Sequence, residues 1–237
     1  MQLRAFAVDV DGTITEDGGR LHLESVFILR WLQQLGYAVI LVSGRGLWEM
    51  LALSIYTGCS RVVVCENGGI IADSPNHMTL LTEKNNSVVA YDYLAKKIPG
   101  VTLRDDWPTL TEVSVLRNFD IMKGKSLLDD ACIPVTILDS GYAYHLTSKA
   151  VDKAKGLTLA LKSYDIEIKD CVAIGDSDTD IPMFKSCSYS VAIGSAPETT
   201  KIAANFVVKS NMGEGFVEAV QHISDKFMKR SIGGKSA

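Results

Sequence analysis

The chain has 237 residues, 47% of them hydrophobic and 22% charged, with a formal net charge of -4. That is enough for one large domain or a domain carrying an inserted module, and the charge balance excludes a general pull toward nucleic acid or an anionic membrane surface. No apolar stretch approaches the ~20 residues of a membrane-spanning helix, and the N-terminus runs into a strand without a secretion signal, so a cytoplasmic protein without membrane or nucleic-acid partners is expected.

Residues 4–9 read as the first strand, within the stretch "AFAVDVDGTIT" over residues 5–15. Strands alternate faces, so Asp9 and Asp11 would point the same way. Two carboxylates side by side repel, and one takes up a proton unless a cation or a task keeps both ionised. Asp11-Gly12-Thr13 also reads as a plain turn. A helical pattern at 24–34 leads to a strand at 38–42, which ends in Ser43-Gly44-Arg45. A helix at 46–55 and a strand at 61–65 follow.

Between about 80 and 150 the alternation breaks. Asn85-Asn86-Ser87, a helical piece at 88–97, Pro99-Gly100 and extended segments around 112–118 and 134–147 read as a small α+β module inserted over 81–150. The alternation then resumes with a helix at 153–163 opened by Lys153, strands at 171–174, 189–193 and 205–208, and helices at 178–185, 197–202 and 213–228. Residues 231–237 read as a frayed tail. This β–α alternation predicts an α/β fold, a Rossmann-like, doubly wound parallel sheet covered by helices on both faces, with the core at 1–80 and 151–230. The sequence carries no signature of an oligomeric state.

Ligands of open α/β sheets bind outside the carboxyl ends of the strands. Asp9 and Asp11, Ser43-Gly44-Arg45 and Asp176-Ser-Asp-Thr-Asp180 all fall at that predicted edge, and Lys153 is placed to fold over it. Asp176 and Asp180, four apart at a helix start, share one face. Capping and the helix dipole account for one or two of Asp176, Asp178 and Asp180 but not for all three, while Pro182 suits a first helical turn. A calcium loop would need glycine and glutamate where Ile181 and Cys187 stand. What remains is an oxygen-rich carboxylate site with few ligands, suited to Mg²⁺ beside waters and a substrate phosphate. Ser43 together with Arg45 or Lys153 would supply the hydroxyl and positive charge that a phosphate needs, with backbone amides freed by Gly44. Taken singly, Ser43 also reads as a helix N-cap and Lys153 as a solvated helix lysine. Gly234-Lys235-Ser236 is no phosphate loop, since Lys229 stands where its first glycine belongs. The scattered Cys59, Cys65, Cys132, Cys171 and Cys187 read as buried thiols, and the dispersed His22, His77, His145 and His222 exclude a histidine zinc site.

The ordered set Asp-x-Asp-Gly-Thr, Ser-Gly-Arg, Lys and Gly-Asp-x-x-x-Asp resembles the haloacid dehalogenase-like (HAD) phosphatase superfamily over almost the whole chain. The module between the second and third motifs resembles that family's C2-type cap, as in the Cof-like and sucrose-phosphate-phosphatase-like branch. "CENGGII" at 65–71 matches the Asn-Gly turn that this branch carries before its cap. The short cap and compact length are most similar to the archaeal-type phosphoglycolate phosphatases.

The resemblance implies that Asp9 is the nucleophile, and that Asp11 acts as general acid to the leaving alcohol and then as base to the attacking water. It implies that Ser43 and Lys153 bind the phosphate. Asp9, the Asp11 backbone carbonyl, Asp176 and Asp180 would hold Mg²⁺ directly or through water. Thr179 departs from the pattern, standing where the branch often has asparagine. The expected substrate is a small phosphorylated metabolite, 2-phosphoglycolate first, with a sugar phosphate or a phosphomutase reaction as alternatives. The non-enzymatic alternatives are a phospho-receiver, which is about half this length and carries its lysine after the last acid, and a ligand-binding module. Substrate choice is expected in the cap, where Lys84, Lys96, Lys97, Arg104, Arg117, Lys123 and Lys125 offer positive charge. Ser114, Arg117 and His145 are further residues there that could face the pocket.

Overall fold

The computed structural model describes residues 2–104, 108–141 and 143–228, so the expected tail at 231–237 lies outside the described residues. Strands in chain order are β1 (Ala5–Val8), β2 (Ala38–Leu41), β3 (Val63–Cys65), β4 (Ile70–Ser74), β5 (His77–Leu80), β6 (Val113–Val115), β7 (Val135–Asp139), β8 (Tyr144–Ser148), β9 (Cys171–Gly175), β10 (Tyr189–Ala192) and β11 (Phe206–Val207). The helices are α1 (Leu23–Gln34), α2 (Leu47–Thr57), α3 (Asn85–Lys97), α4 (Ile121–Asp130), α5 (Lys153–Lys162), α6 (Ile181–Ser186), α7 (Glu198–Ala203) and α8 (Met212–Ile223).

The main sheet has five parallel strands in the order β11-β10-β9-β1-β2. Strands buried on both faces need unbroken apolar runs rather than alternation, and β1, β2, β9 and β10 are buried at every residue. Phe6 and Val8 pack with α1, α2 and α8 on one face, through Leu29, Leu32, Met50 and Phe216. Ala5 and Ala7 pack with α5 and α6 on the other, through Leu157, Leu161, Met183 and Phe184. Because β1 lies between β2 and β9, the residues that follow these three strands meet at one edge.

The expected strand at 61–65 stands outside this ladder. β3 touches it only through a parallel bridge from Val64 to Val42 and instead begins an antiparallel sheet, β3-β4-β5. The β4–β5 hairpin was not expected; β5 is exposed along its whole length, and its alternating Met78 and Leu80 are too short a pattern to stand out. A second antiparallel sheet, β6-β8-β7, packs against α3 and α4 around Ala90, Leu94, Val115, Leu128, Ile137 and Leu146. Here α3 starts at Asn85, earlier than the expected 88. Helix α4 was not anticipated. Asp120 caps it by accepting from the Met122 and Lys123 amides, but Gly124 inside it weakens the helical signal. A Cβ there would lie 2.7 Å from Ile137 Cδ1 and 2.8 Å from Phe119 Cε2, so any larger residue would have to push these side chains aside. Among the described residues no helix is long and apolar enough to cross a membrane. Four cysteines are buried as expected, whereas Cys132 is exposed.

Candidate active site

The ladder continues one residue beyond β1, with the Asp9 amide donating to the Ile174 carbonyl at 3.0 Å. This fixes Asp9 beside the end of β9, 4% exposed. The chain then turns sharply at Gly12, whose φ is +77°, and a Cβ there would lie 2.1 Å from Asp176 Oδ2. Glycine thus lets the first acidic segment close on the second. The Thr13 hydroxyl sits 3.3 Å from Asp9 Oδ2 and 3.1 Å from Asp176 Oδ1, able to donate to either.

Lys153 is not a solvated lysine. It is 2% exposed, and its Nζ donates to Asp9 Oδ1 at 2.7 Å and to Asp180 Oδ1 at 2.6 Å. Asp152 caps α5 by accepting from the Lys155 amide, which places Lys153 at the first helical position, aimed at the strand ends. Asp180 is fully buried and holds its own loop together: Oδ2 accepts from the amides of Asp176 at 2.9 Å and Ser177 at 3.0 Å. Of the three aspartates in 176–180, Asp178 turns away and accepts from the Thr199 and Thr200 hydroxyls beside α7.

Asp9, Asp176 and Asp180 offer carboxylate oxygens that all lie within 4.8 Å of one another. Burial pushes the Asp9 carboxyl well above its ordinary value, and Asp180 and Asp176 add repulsion against the pull of Lys153. Burial likewise lifts Asp176 to about 7, with repulsion from Asp180. For Lys153 burial works against the charge, yet Asp180 and Asp9 outweigh it and raise its value. The ammonium is therefore charged; with all three carboxyl groups ionised against it the cluster would carry two negative charges, and without a cation the raised values of Asp9 and Asp176 favour protons there instead. A divalent cation matches that excess, and carboxylate oxygens are the donors that Mg²⁺ prefers. The residues present fit such an ion.

The Asp11 side chain lies outside this cluster. Arg45 holds it in a two-pronged grip, Nε to Oδ2 at 2.8 Å and Nη2 to Oδ1 at 2.7 Å, and Arg45 in turn meets Glu49 at 2.6 Å. Arg45 therefore orients an acid here, where the sequence offered it for phosphate. Ser43 is buried and its hydroxyl accepts from the Arg45 amide at 3.2 Å; α2 is capped by Gly46, so the N-cap reading of Ser43 does not hold. Gly44 leaves room for the Asn67 side chain, which a Cβ would approach to 3.1 Å.

A cavity of about 30 Å³ is lined by Asp9, Asp11, Ser43, Gly44, Lys153 and Asp176, together with Arg45, Asn67, Ser140, Ser177 and Thr179. Asp180 stands behind its wall. Thr179 bonds to the Ser177 hydroxyl at 2.7 Å. Thr13, Asn67 and Ser140 were not singled out from the sequence as site residues. The first two adjoin motifs and could have been found from their spacing, whereas Ser140 arrives from the second sheet through tertiary packing alone.

A family profile described as haloacid dehalogenase-like hydrolase matches residues 6–99 and 119–220. The phosphoglycolate phosphatase of Nitrosopumilus maritimus is 40% identical over 225 residues, covering 94% of this chain and 97% of that protein. That of Methanothermobacter thermautotrophicus is 34% identical over 219 residues, covering 92% and 98%. Among solved structures, Thermoplasma acidophilum 0175 superposes with a TM-score of 0.81 at 24% identity, over 94% of this chain and 99% of the other. The HAD subclass IIB sugar phosphatase BT4131 superposes with a TM-score of 0.77 at 17% identity, over 93% and 99%. At these identities the two structures speak for the fold alone.

Proposed function

The chain belongs to the haloacid dehalogenase-like hydrolase family, and on that premise we propose that it is a Mg²⁺-dependent phosphatase that hydrolyses 2-phosphoglycolate to glycolate and phosphate. The observation that carries this reading is the convergence of Asp9, Lys153 and Asp176, from three separate segments, on one small cavity at the carboxyl edge of the parallel sheet, with Asp180 bonded to Lys153 behind its wall.

Ser43 and Lys153 bind the phosphoryl oxygens, and Asp9 attacks phosphorus with one carboxylate oxygen. The bond from phosphorus to the leaving oxygen breaks, and Asp11 gives that oxygen a proton. Asp11 then takes a proton from water, whose oxygen attacks phosphorus and releases phosphate from Asp9. A carboxylate nucleophile divides a very slow displacement into two easier ones. Asp9, Asp176 and Asp180, with the Asp11 carbonyl, would hold Mg²⁺, which supplies positive charge for the equatorial oxygens and favours the ionised form of Asp9. In the two-pronged grip of Arg45, Asp11 is a carboxylate, the form that takes the proton from water; for Asp11 to carry the proton it gives to the leaving oxygen, Arg45 must release one of its two oxygens. Residues 81–150 act as the cap that selects the substrate.

The test is phosphate release from 2-phosphoglycolate with Mg²⁺, ranked by kcat/KM against a panel of sugar phosphates and repeated with EDTA. Turnover that persists in EDTA would remove the metal. A sugar phosphate ranking first would replace the substrate.

A further inference from the structure

Behind the cavity runs a hydrogen-bonded circuit that the chemistry above does not use. Ser140, at the turn after β7, lines the same cavity as Asp9 and Lys153. Its Oγ lies 3.0 Å from His145 Nε2. His145 Nδ1 lies 2.5 Å from Glu112 Oε1. Glu112 Oε2 accepts from Asn67 Nδ2 at 3.1 Å and from the Thr147 hydroxyl at 2.9 Å. Asn67 lines the cavity too, so the circuit leaves and re-enters it. Glu112 and His145 are both buried.

The protonation of His145 decides what Ser140 can offer. Burial opposes charge on the ring and Lys153 adds repulsion, but the Glu112 carboxylate and, more weakly, Glu66 outweigh them and raise its value. A charged imidazole is a donor at both nitrogens. Ser140 Oγ must then accept from Nε2, and it also accepts from the Ala143 amide at 3.3 Å. With both lone pairs engaged, the hydroxyl has only its hydrogen left to give, to the Ala143 carbonyl at 3.2 Å or to a ligand in the cavity. The Ser–His–Glu order also matches a nucleophile with its base; the raised value of His145 favours the doubly protonated ring, which accepts no proton from serine.

We propose that Ser140 is a specificity-determining residue that donates its hydroxyl hydrogen to an anionic acceptor on the leaving group, with His145 and Glu112 as the positioning residues that keep it a donor. The inference rests on the function proposed above, for which that acceptor is the carboxylate of 2-phosphoglycolate.

The experiment compares kcat and KM for 2-phosphoglycolate and for ethyl phosphate, its counterpart with a methyl group in place of the carboxylate. In the wild type the kcat/KM ratio favours 2-phosphoglycolate. A hydrogen bond to a charged group is lost in Ser140→Ala, so that ratio falls about ten- to a hundredfold, chiefly through KM. His145→Gln lowers it similarly and has no further effect when combined with Ser140→Ala, whereas a merely structural histidine would act on both esters and in both backgrounds. Ser140→Ala alone decides the matter if His145→Gln does not fold. A ratio unchanged in Ser140→Ala overturns the inference and leaves the function standing. A wild type with no preference between the esters, or no Mg²⁺-dependent turnover of either, overturns both.

Discussion

Asp9 and Asp176 sit where ionising a carboxyl group costs most, and their replacement separates two roles. Asp9→Asn removes the nucleophile and is expected to lower kcat by at least about a thousandfold while leaving the thermal midpoint near that of the wild type. Asp176→Asn is expected to raise the Mg²⁺ concentration for half-maximal activity by about tenfold or more, measured by Mg²⁺ titration of phosphate release. Burial raises both groups, Asp176 to about 7 from an ordinary 3.8, so the metal-free folded chain binds more protons than the unfolded chain. The stability linked to these protons is full below 3.8 and is lost as pH rises through about 7. In EDTA the melting temperature therefore falls across that window, and Mg²⁺ restores it. Scanning fluorimetry from about pH 4 to about pH 7 should show the gap between the two conditions widening. Asp9, Ser43 and Asp176 were legible because each follows an apolar run that ends at one edge of the sheet, and Asp180 because it stands four residues after Asp176 at a helix start. The grip of Arg45 on Asp11 was not, because a guanidinium near two acids and a phosphate has several partners of equal chemical merit.

Among the elements, α5 shows how a helix is aimed. Gly68, with a φ of +97°, faces the start of that helix, and a Cβ there would lie 2.0 Å from the Asp152 carbonyl oxygen. Gly68→Ala is expected to cost about 2–4 kcal/mol and to lower kcat, because the helix end that carries Lys153 must move. Gly100 has a φ of +87° but nothing within 4 Å of its Cβ position, so Gly100→Ala isolates the backbone term of about 1 kcal/mol. Urea denaturation of both variants measures the difference. Equal losses would show that the approach of Gly68 to α5 does not matter. The elements of the parallel sheet could be read because strands buried on both faces are apolar throughout. Helix α4 and the β4–β5 hairpin could not, since Gly124 lowers helical propensity for the sake of a tertiary contact and β5 buries nothing.

At the scale of the molecule, buried polar bonds tie the turn between β3 and β4 to the segment that leads into the second antiparallel sheet, β6-β8-β7. Both Glu66 oxygens are engaged: Oε1 accepts from the Leu110 amide at 2.9 Å, and Oε2 from the Thr111 amide at 2.7 Å and hydroxyl at 2.6 Å. Glu66→Gln turns one acceptor into a donor that faces donors, at an expected cost of about 1–3 kcal/mol. Its kcat/KM should fall as well, since Ser140 reaches the cavity only while residues 109–112 hold their place. A urea midpoint and a kcat/KM both equal to the wild type would show that these bonds do not seat the second sheet.

The position of β1 also governs how the protein is born. Strand β1 lies between β2 and β9, and β9 follows more than a hundred residues after it. Until residues 171–175 leave the ribosome, one edge of β1 has no partner, and an unpaired apolar edge recruits other chains or chaperones. Nascent chains that stall before that point should therefore be aggregation-prone and inert, because the strand that presents Asp9 gains its second neighbour only when β9 emerges.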